Sequence, residues 1–365
     1  MKFEIKREIL LTPLQAIIGV VERKQTMPIL ANILLQAKDN ELCLTATDLE
    51  VELMTQATAN TEIEGEITLP GRKLLDICRA LQEDASIVIS ESNGKASVQS
   101  GRSRFSLASL PAADFPLIED IQGEQKISLP QKELLKLIQK THFSMAQQDV
   151  RYYLNGLLLE NKDGKIKAVA TDGHRLAFCE TNTETPESLD KQVIIPRKGV
   201  LELQRLLSGE GDLSIELGKN HVRIQVNDSI YTSKLIDGRF PEYDRVVPKD
   251  TSNMIKAKKE ELKDALQRTA ILSNEKYRGI RLFLGQNNLV LQAQNPEQEE
   301  AEESLEVEYT GDDIEIGFNV NYLLDALAVI ESDEVIFSVI DGNSSCLMWE
   351  PGKDQYKFVI MPMRL

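Results

Sequence analysis

The sequence has few of the residues that build disulfides and metal centres. It holds only three histidines and four cysteines in 365 residues, together with a single tryptophan. The histidines lie too far apart along the chain to show metal-ligand spacing. Each cysteine lies inside an apolar pattern, so we expect buried free thiols in a reducing compartment. The residues concerned are His142, His174, His221, Cys43, Cys78, Cys179 and Cys346.

Long apolar runs and catalytic motifs are also missing. No run approaches the ~18 residues that a membrane-spanning helix needs, and the N-terminus lacks a signal-peptide core, so we expect a cytoplasmic protein. The sequence contains no Walker loop, no G-x-S-x-G elbow and no C-x-x-C pair. Asp172 and His174 are the one pair that suggests acid–base chemistry, and a turn capped by the aspartate explains them without catalysis.

What the sequence does contain is a repeat. Residues 168–177 read AVATDGHRLA, and the same Ala-Thr-Asp recurs at 46–48. A third copy, LQAQN, ends with asparagine in place of aspartate. The repeated positions are Asp48, Asp172 and Asn295, which gives a period of about 120 residues, the size of a domain.

Helical and extended patterns surround each copy in the same order. A helix-spaced apolar pattern precedes each one, and a strand that runs into a second helix follows. Pro70 and Pro196 stand where such a strand ends and the helix begins, a position that proline tolerates. The sequence therefore predicts an α+β fold of three tandem repeats, each a module of two helices packed on an antiparallel sheet, with domains at 1–124, 125–250 and 251–365.

The charge of the chain is unevenly distributed. The net charge is −16, which by itself argues against binding to nucleic acid. Five of the six predicted helices are nevertheless net positive, so the rest of the chain is strongly negative. Cationic helices on an anionic body indicate a polarised surface that suits a polyanion, although ordinary amphipathic helices with basic exposed faces would look the same.

Several strings, in one order along the whole chain, resemble the DNA polymerase III beta subunit family, the bacterial sliding clamps. They are 100–106 (SGRSRFS), 110–116 (LPAADFP), 149–156 (DVRYYLNG), 170–176 (ATDGHRL), 196–199 (PRKG), 237–241 (DGRFP), 272–276 (LSNEK), 295–300 (NPEQEE) and 361–365 (MPMRL).

The resemblance implies the DNA clamp fold, with two chains joined head to tail into a ring of six modules. Such a ring encircles duplex DNA, gives the replicative polymerase processivity, and recruits polymerases, the clamp loader and repair proteins through a pocket for a short hydrophobic peptide. It implies a non-catalytic subunit without a cofactor, any ATP belonging to a loader on another chain. It further implies sequence-independent DNA contacts, and fewer of them in the third module, whose second helix is not basic.

The same resemblance assigns three sets of residues. The implied DNA contacts are Lys24, Arg72, Gln148, Tyr152, Tyr153, Arg197 and Lys198. The implied peptide pocket comprises Leu154, Thr171, Gly173, His174, Arg175, Leu176, Pro241, Arg245, Val246, Tyr322, Ser345, Met361, Pro362 and Met363. The implied dimer interface comprises Lys73, Ile77, Leu81, Arg104, Phe105, Leu107, Ile271, Leu272, Glu297, Glu299, Glu300 and Glu303. One departure is Asn343, because relatives can carry an apolar residue at this rim position, and it leaves the peptide preference open.

Two other classes of function stay open on the residues alone. One is an enzyme with Asp172, His174 and Arg175 at its polar centre, which turnover dependent on His174 would support. The other is a peptide-binding scaffold without DNA, in which neutralising Arg197 and Lys198 would leave function intact. The missing catalytic set argues against the first, and the basic helices argue against the second.

Overall fold

The computed structural model describes residues 1–22, 27–92, 94–118, 125–183, 191–249, 251 and 253–364. Its helices are α1 (Arg7–Ile17), α2 (Gly71–Ala80), α3 (Gln131–Thr141), α4 (Arg197–Leu206), α5 (Lys259–Thr269) and α6 (Val320–Ala328). Each begins directly after a strand, and the strands before α2 and α4 end at Pro70 and Pro196, as predicted.

The strands of the first predicted repeat are β1 (Lys2–Lys6), β2 (Asn32–Lys38), β3 (Glu41–Thr47), β4 (Val51–Thr58), β5 (Asn60–Ile63), β6 (Gly65–Pro70), β7 (Ser86–Ser92), β8 (Lys95–Ser100) and β9 (Ser103–Ala108). Those of the second are β10 (Gln125–Pro130), β11 (Gly156–Lys162), β12 (Lys165–Thr171), β13 (Arg175–Asn182), β14 (Lys191–Pro196), β15 (Asp212–Leu217), β16 (His221–Val226) and β17 (Ser229–Lys234). Those of the third are β18 (Met254–Lys258), β19 (Gly279–Gly285), β20 (Asn288–Gln294), β21 (Glu300–Glu306), β22 (Ile314–Asn319), β23 (Glu334–Ser338), β24 (Cys346–Glu350) and β25 (Lys353–Ile360).

The order of elements repeats three times, as the sequence predicts. Each repeat runs strand, helix, four strands, helix and three strands, and the first adds β5. Helix α5 buries Leu262, Ala265, Leu266 and Thr269, the spacing of one helix face. The observed elements confirm an α+β fold with antiparallel sheets.

The chain forms two compact units, and the strands of the second repeat are divided between them. Unit 1 comprises Met1–Leu135 and Lys198–Leu235. It contains a five-stranded sheet in the order β5-β1-β7-β8-β9 and an eight-stranded sheet in the order β10-β15-β16-β17-β4-β3-β2-β6. The eight-stranded sheet is continuous because β17 pairs antiparallel with β4, with Tyr231 opposite Leu53.

Unit 2 comprises Lys136–Arg197 and Ile236–Leu365 and also contains one eight-stranded sheet and one smaller sheet. Its eight-stranded sheet has the order β14-β11-β12-β13-β25-β24-β23-β18, and its four-stranded sheet has the order β21-β20-β19-β22. Strand β13 pairs antiparallel with β25, with Ala177 opposite Phe358. In each unit, therefore, the third strand of one repeat's central four pairs with the last strand of the next repeat.

The cysteines are free, as predicted. Cys78, Cys179 and Cys346 are buried, and Cys43 is half-buried. Burial raises the pKa of the Cys78 thiol to about 12, which keeps it protonated at neutral pH and unreactive. In the part of the chain that is described, no helix is both long and apolar enough to cross a membrane.

Candidate functional site

The turn between β12 and β13 carries the start of the predicted peptide pocket. The Asp172 Oδ1 atom accepts backbone N–H bonds from His174 at 2.9 Å and from Arg175 at 3.0 Å. The Thr171 hydroxyl accepts from the Gly173 N–H at 3.1 Å and donates to the Arg175 carbonyl at 2.6 Å. Gly173 has φ +87°, a conformation that glycine adopts without strain. The aspartate therefore caps a turn, as the sequence predicts.

Arg175 is held in place by four neighbouring residues. Its Nε donates to Asp172 Oδ2 at 3.1 Å, its Nη1 to Asp325 Oδ2 at 2.5 Å, and its Nη2 to the Phe143 carbonyl at 2.8 Å. The guanidinium lies 4.5 Å from the centroid of the Tyr322 ring and 5.5 Å from that of Phe143. Because only 13% of this side chain is exposed, Arg175 orients Tyr322 and the turn more than it offers its own surface.

The turn opens onto an apolar cluster inside unit 2. Leu176 lies in that cluster with Phe240, and Val246 packs against it. The Met361 N–H donates to the His174 carbonyl at 2.9 Å, so the backbone after β25 stays beside the turn. Met361 is 38% exposed, an apolar side chain left at the surface. The structure thus brings Leu176, Val246, His174 and Met361 to one place.

The other predicted pocket residues differ in exposure. Leu154 is 2% exposed and belongs to the core. Arg245 and Pro241 are exposed, and the Arg245 Nε lies 2.7 Å from Glu242 Oε2 on the same short helical turn. Ser345 directly precedes β24, whose Cys346 pairs with Ile360. The remaining members, Pro362 and Met363, are half-buried, and the Met363 N–H donates to the Gly317 carbonyl at 2.8 Å.

In unit 1, two of the predicted DNA contacts meet at the segment that follows α1. The Arg72 Nη2 donates to the Val21 carbonyl at 3.0 Å. The Lys198 ammonium lies 3.6 Å from Glu22 Oε1 and within hydrogen-bond distance of Asp48 Oδ2. Burial acts to lower the pKa of Lys198, but the hydrogen bond from its ammonium to Asp48 and the charges of Asp48 and Glu22 outweigh it and raise that pKa. The third predicted contact, Lys24, lies outside the described residues.

In unit 2, the predicted DNA contacts lie on the loop before β11 and at the start of α4. Gln148 is exposed with φ +56°, and Tyr152 is 59% exposed. The rings of Tyr152 and Tyr153 meet edge to face at 5.9 Å, but Tyr153 packs against the apolar cluster and offers less surface. The Arg197 Nη1 donates to the Met145 carbonyl at 3.2 Å, and burial, followed by the Arg175 charge, lowers the pKa of Arg197.

The basic helix faces that the sequence suggests are partly neutralised in the structure. Lys140 on α3 is 3% exposed, and its ammonium lies 2.7 Å from Glu331 and above the Tyr356 ring. Lys140 is therefore not part of a solvent-facing basic surface. On α5, Lys259, Lys263 and Arg268 each lie beside a glutamate of the same unit.

The predicted interface residues fall on strands β9 and β21, on and directly after α2, after α5, and in the turn before β21. Arg104, Phe105 and Leu107 lie on β9, and Glu300 and Glu303 lie on β21. Lys73 and Ile77 lie on α2, and Leu81 directly follows it. Ile271 is 75% exposed after α5, beside the half-buried Leu272. Glu297 and Glu299 are exposed in the turn before β21.

Glu303 already has a partner within the chain. Its carboxylate accepts two hydrogen bonds from the Arg268 guanidinium, at 2.5 Å and 2.7 Å, and these lower its pKa. The sequence does not indicate this pair, because the two residues lie on different elements.

Three positioning residues escape sequence reasoning for the same reason. Asp48 holds Lys198, Asp325 holds Arg175, and Arg151 joins the loop before β11 to the pocket turn. The Arg151 guanidinium donates to both oxygens of Asp149 and to the Asp172 carbonyl. The repeated Ala-Thr-Asp marks the turn in the sequence but does not indicate the cation that the turn holds.

Three sequence models of one family match the chain in sequence order. The N-terminal domain of the DNA polymerase III beta subunit matches residues 1–119, the central domain matches residues 128–242, and the C-terminal domain matches residues 244–364.

Full-length relatives agree with these matches. The beta sliding clamp of Pseudomonas aeruginosa is 52% identical over 367 residues, and that of Escherichia coli K12 is 49% identical over 368, each comparison covering all of both chains. A crystal structure of the P. aeruginosa sliding clamp bound to griselimycin matches with a TM-score of 0.97 and 52% identity, and Caulobacter crescentus pol III beta matches with 0.95 and 38%. Both structural comparisons cover all of both chains. The chain therefore belongs to the DNA polymerase III beta subunit family of sliding clamps.

Proposed function

We propose that this chain is a non-catalytic sliding clamp that encircles duplex DNA, gives the replicative polymerase processivity, and hosts polymerases, the clamp loader and repair proteins. The observation that carries the proposal is a pair of free strand edges. In the described part of the chain, β9 and β21 lie at the ends of their sheets and are paired along one edge only. The strands at the same positions in the other repeats are paired along both edges. We place the protein in the bacterial cytoplasm, where such a ring would meet DNA.

The repeat predicts the partner of each free edge. By position in the repeat, β21 corresponds to β4 and β13, and β9 corresponds to β17 and β25. Because β4 pairs with β17 and β13 pairs with β25, β21 should pair with a β9. An open edge tends to pair with another chain. Head-to-tail pairing of two copies would cover both edges and, if the rotation closes, give a ring of six modules.

The charge of the two edges supports the same pairing. Strand β9 carries the exposed Arg104, and the exposed Arg102 precedes it. Strand β21 carries four glutamates, and exposed Glu297 and Glu299 precede it. Ile271 gives the acidic side an exposed apolar anchor. Opposite charges favour the correct register and orientation, whereas buried apolar anchors contribute most of the affinity.

The proposed DNA contacts are suited to sliding. Each cation among them that the structure describes already makes at least one hydrogen bond or ion pair within the protein, so it can meet a phosphate without holding it tightly. Contacts to phosphates carry no sequence information and weaken as salt rises. Tyr152 presents an exposed ring that can lie against the sugar-phosphate backbone.

The proposed peptide pocket combines an apolar floor with a polar rim. Leu176 and Val246 supply the floor, Met361 an adaptable thioether, and His174 an exposed ring beside them. A short hydrophobic segment of a polymerase, loader or repair protein would fill such a site.

Retention on DNA of different topology tests the ring. The protein is loaded with its clamp loader onto a nicked circle, half of the sample is linearised, and bound protein is followed by gel filtration. We expect retention on the circle and loss from the linear form. Equal retention on both would show ordinary surface binding and would rule out encirclement.

A pair of variants tests how the ring closes. We expect Leu272→Ala to weaken dimerisation by about 10-fold or more, because buried apolar anchors dominate interfaces. The matched rim variant Glu297→Gln should change it by less than about fivefold, since an exposed ion pair contributes ~0–1 kcal/mol. Sedimentation over a dilution series measures both. A fully dimeric Leu272→Ala protein at the lowest concentration would contradict this ranking.

A further inference from the structure

The ammonium of Lys198 is held inside unit 1 by carboxylates from two other segments. Asp48, in the turn after β3, accepts a hydrogen bond from it through Oδ2, and Glu22, after α1, lies 3.6 Å away. Only 2% of the Asp48 side chain is exposed, whereas 38% of Lys198 is exposed. A buried carboxylate loses more than an exposed one when its partner leaves, because water cannot replace that partner.

The same aspartate holds its own turn through its other oxygen. Asp48 Oδ1 accepts N–H bonds from Glu50 at 2.9 Å and from Val51 at 2.7 Å. Those bonds fix the direction of the carboxylate, so that Oδ2 is held towards Lys198. An ammonium has three N–H donors. With Asp48 and Glu22 beside it, part of its charge is offset, while 38% of the Lys198 side chain stays exposed.

We propose that Asp48 is a positioning residue that weakens the contact between Lys198 and DNA. The buried carboxylate anchors the ammonium and offsets its charge, so that Lys198 meets a phosphate without closing a full ion pair. A contact weakened in this way lets the ring move along the duplex. This inference rests on the proposed function, in which Lys198 faces DNA.

The test uses the full chain and a 30-base-pair fluorescent duplex, with binding followed by anisotropy over ~50 to 200 mM salt. Asp48→Asn keeps an oxygen for the turn and removes the charge. We expect this variant to bind about threefold more tightly at the lowest salt, with a log–log salt slope steeper by up to ~0.9, the value for one further phosphate neutralised. Lys198→Gln should weaken binding, and the double variant should match Lys198→Gln.

Two further variants keep the test sharp. Asp163→Asn removes the same unit of charge at a hairpin turn in unit 2, where φ is +53° and asparagine is tolerated, and it should bind as the unchanged protein does. If Asp48→Asn fails to fold, Glu22→Gln removes the second carboxylate without touching the turn. It should give a smaller gain in the same direction.

The outcomes separate this inference from the proposed function. If Lys198→Gln weakens binding while Asp48→Asn leaves it unchanged or weaker, Lys198 contacts DNA and the role of Asp48 is overturned. If Lys198→Gln has no effect, the DNA contact of Lys198 and the inference both fail. An equal gain in Asp48→Asn and Asp163→Asn would show a general charge effect and would also overturn the inference.

Discussion

The turns at Asp48 and Asp172 have the same backbone hydrogen bonding, but their aspartates bind different cations. In each, a threonine and an aspartate make the same four hydrogen bonds, with distances from 2.6 to 3.1 Å. The partner of the other carboxylate oxygen, Oδ2, differs between the two turns. It is Lys198 in unit 1 and Arg175 in unit 2. Both repeats therefore contain a turn that fixes the direction of a carboxylate. The role of each turn depends on the cation that this carboxylate binds.

The third copy shows what is lost when the aspartate becomes asparagine. Asn295 Oδ1 accepts from the Glu299 N–H at 2.8 Å, so the cap survives with one more residue in the turn. Its Nδ2 donates to the Glu299 carboxylate at 2.6 Å. An amide nitrogen cannot hold a cation, so this copy shapes the chain before β21 without the carboxylate that the other two turns direct at a cation.

Removing each aspartate in turn tests whether the two turns are equivalent, and we expect the largest loss of stability from these variants. Asp48→Ala and Asp172→Ala should each destabilise the protein by about 2–4 kcal/mol, since each leaves two backbone N–H groups without a partner and takes one carboxylate away from a cation. The loss should be greater at Asp48, whose side chain is 2% exposed against 17% for Asp172. Thermal unfolding measures it, with the Asp→Asn variants as controls that keep the cap. A clearly larger loss at Asp172 would break the comparison.

The left-handed position of each turn gives the next largest effect. Leu49 has φ +77° and packs against the apolar cluster that includes Leu34 and Phe115, whereas Gly173 has φ +87°. A Cβ at Gly173 would lie 2.9 Å from the Arg151 guanidinium. Gly173→Ala should therefore cost about 1–2 kcal/mol.

In Leu49→Gly, relief of backbone strain should largely offset the lost packing, leaving a change below about 1 kcal/mol in the free energy of unfolding. Denaturant unfolding compares the two variants. A stable Gly173→Ala protein would show that the left-handed glycine is not required.

The sequence predicts the turns but not what they hold. The spacing of Ala-Thr-Asp predicts the repeat and the cap at Asp172, and the helical and extended patterns around each copy predict the α+β order of elements. Each ion pair joins two residues about 150 positions apart in the sequence. Asp48 pairs with Lys198, and Arg175 pairs with Asp325. Such pairs leave no local pattern, because a charged residue on a helix reads as solvent-facing until the packing is known.

Lys140 shows the same limit from the other side. Its helical spacing and charge gave no sign that it would be 3% exposed and bonded to Glu331. The pocket residues came from family resemblance rather than from periodicity, and the proximity of His174 to Met361 depends on the pairing of β13 with β25, more than 170 residues apart. Pairing at that separation is set by the whole sheet.

Exchanging arginine and lysine at positions 175 and 198 tests whether each site needs the several N–H donors of a guanidinium or only a positive charge. Arg175 uses three nitrogens and a stacked ring, so Arg175→Lys should reduce the affinity for a clamp-binding peptide about 5- to 10-fold by releasing Tyr322. Lys198→Arg keeps the charge at its position and should change duplex binding by less than about twofold. Anisotropy with a labelled peptide and a labelled duplex measures the pair. Unchanged peptide affinity in Arg175→Lys would show that Arg175 does not position the pocket.

The smallest effect concerns pH, and it arises at Asp149, in the loop that Arg151 joins to the Asp172 turn. Hydrogen bonds from the side chain and the backbone N–H of Arg151 lower the pKa of Asp149 to about 2. A carboxyl whose folded pKa lies below its unfolded value of about 3.9 stabilises the fold fully above that value, and the contribution is lost as pH falls towards 2. Carbon-detected NMR titration of Asp149 should therefore show a midpoint near pH 2, moving back towards 3.9 in Arg151→Gln. Because Arg151 also donates to the Asp172 carbonyl, the His174 and Arg175 amide signals should shift over the same range, whereas those of Glu50 and Val51 should not. A shift of both turns together would mean that acid loosens the whole chain rather than this one link.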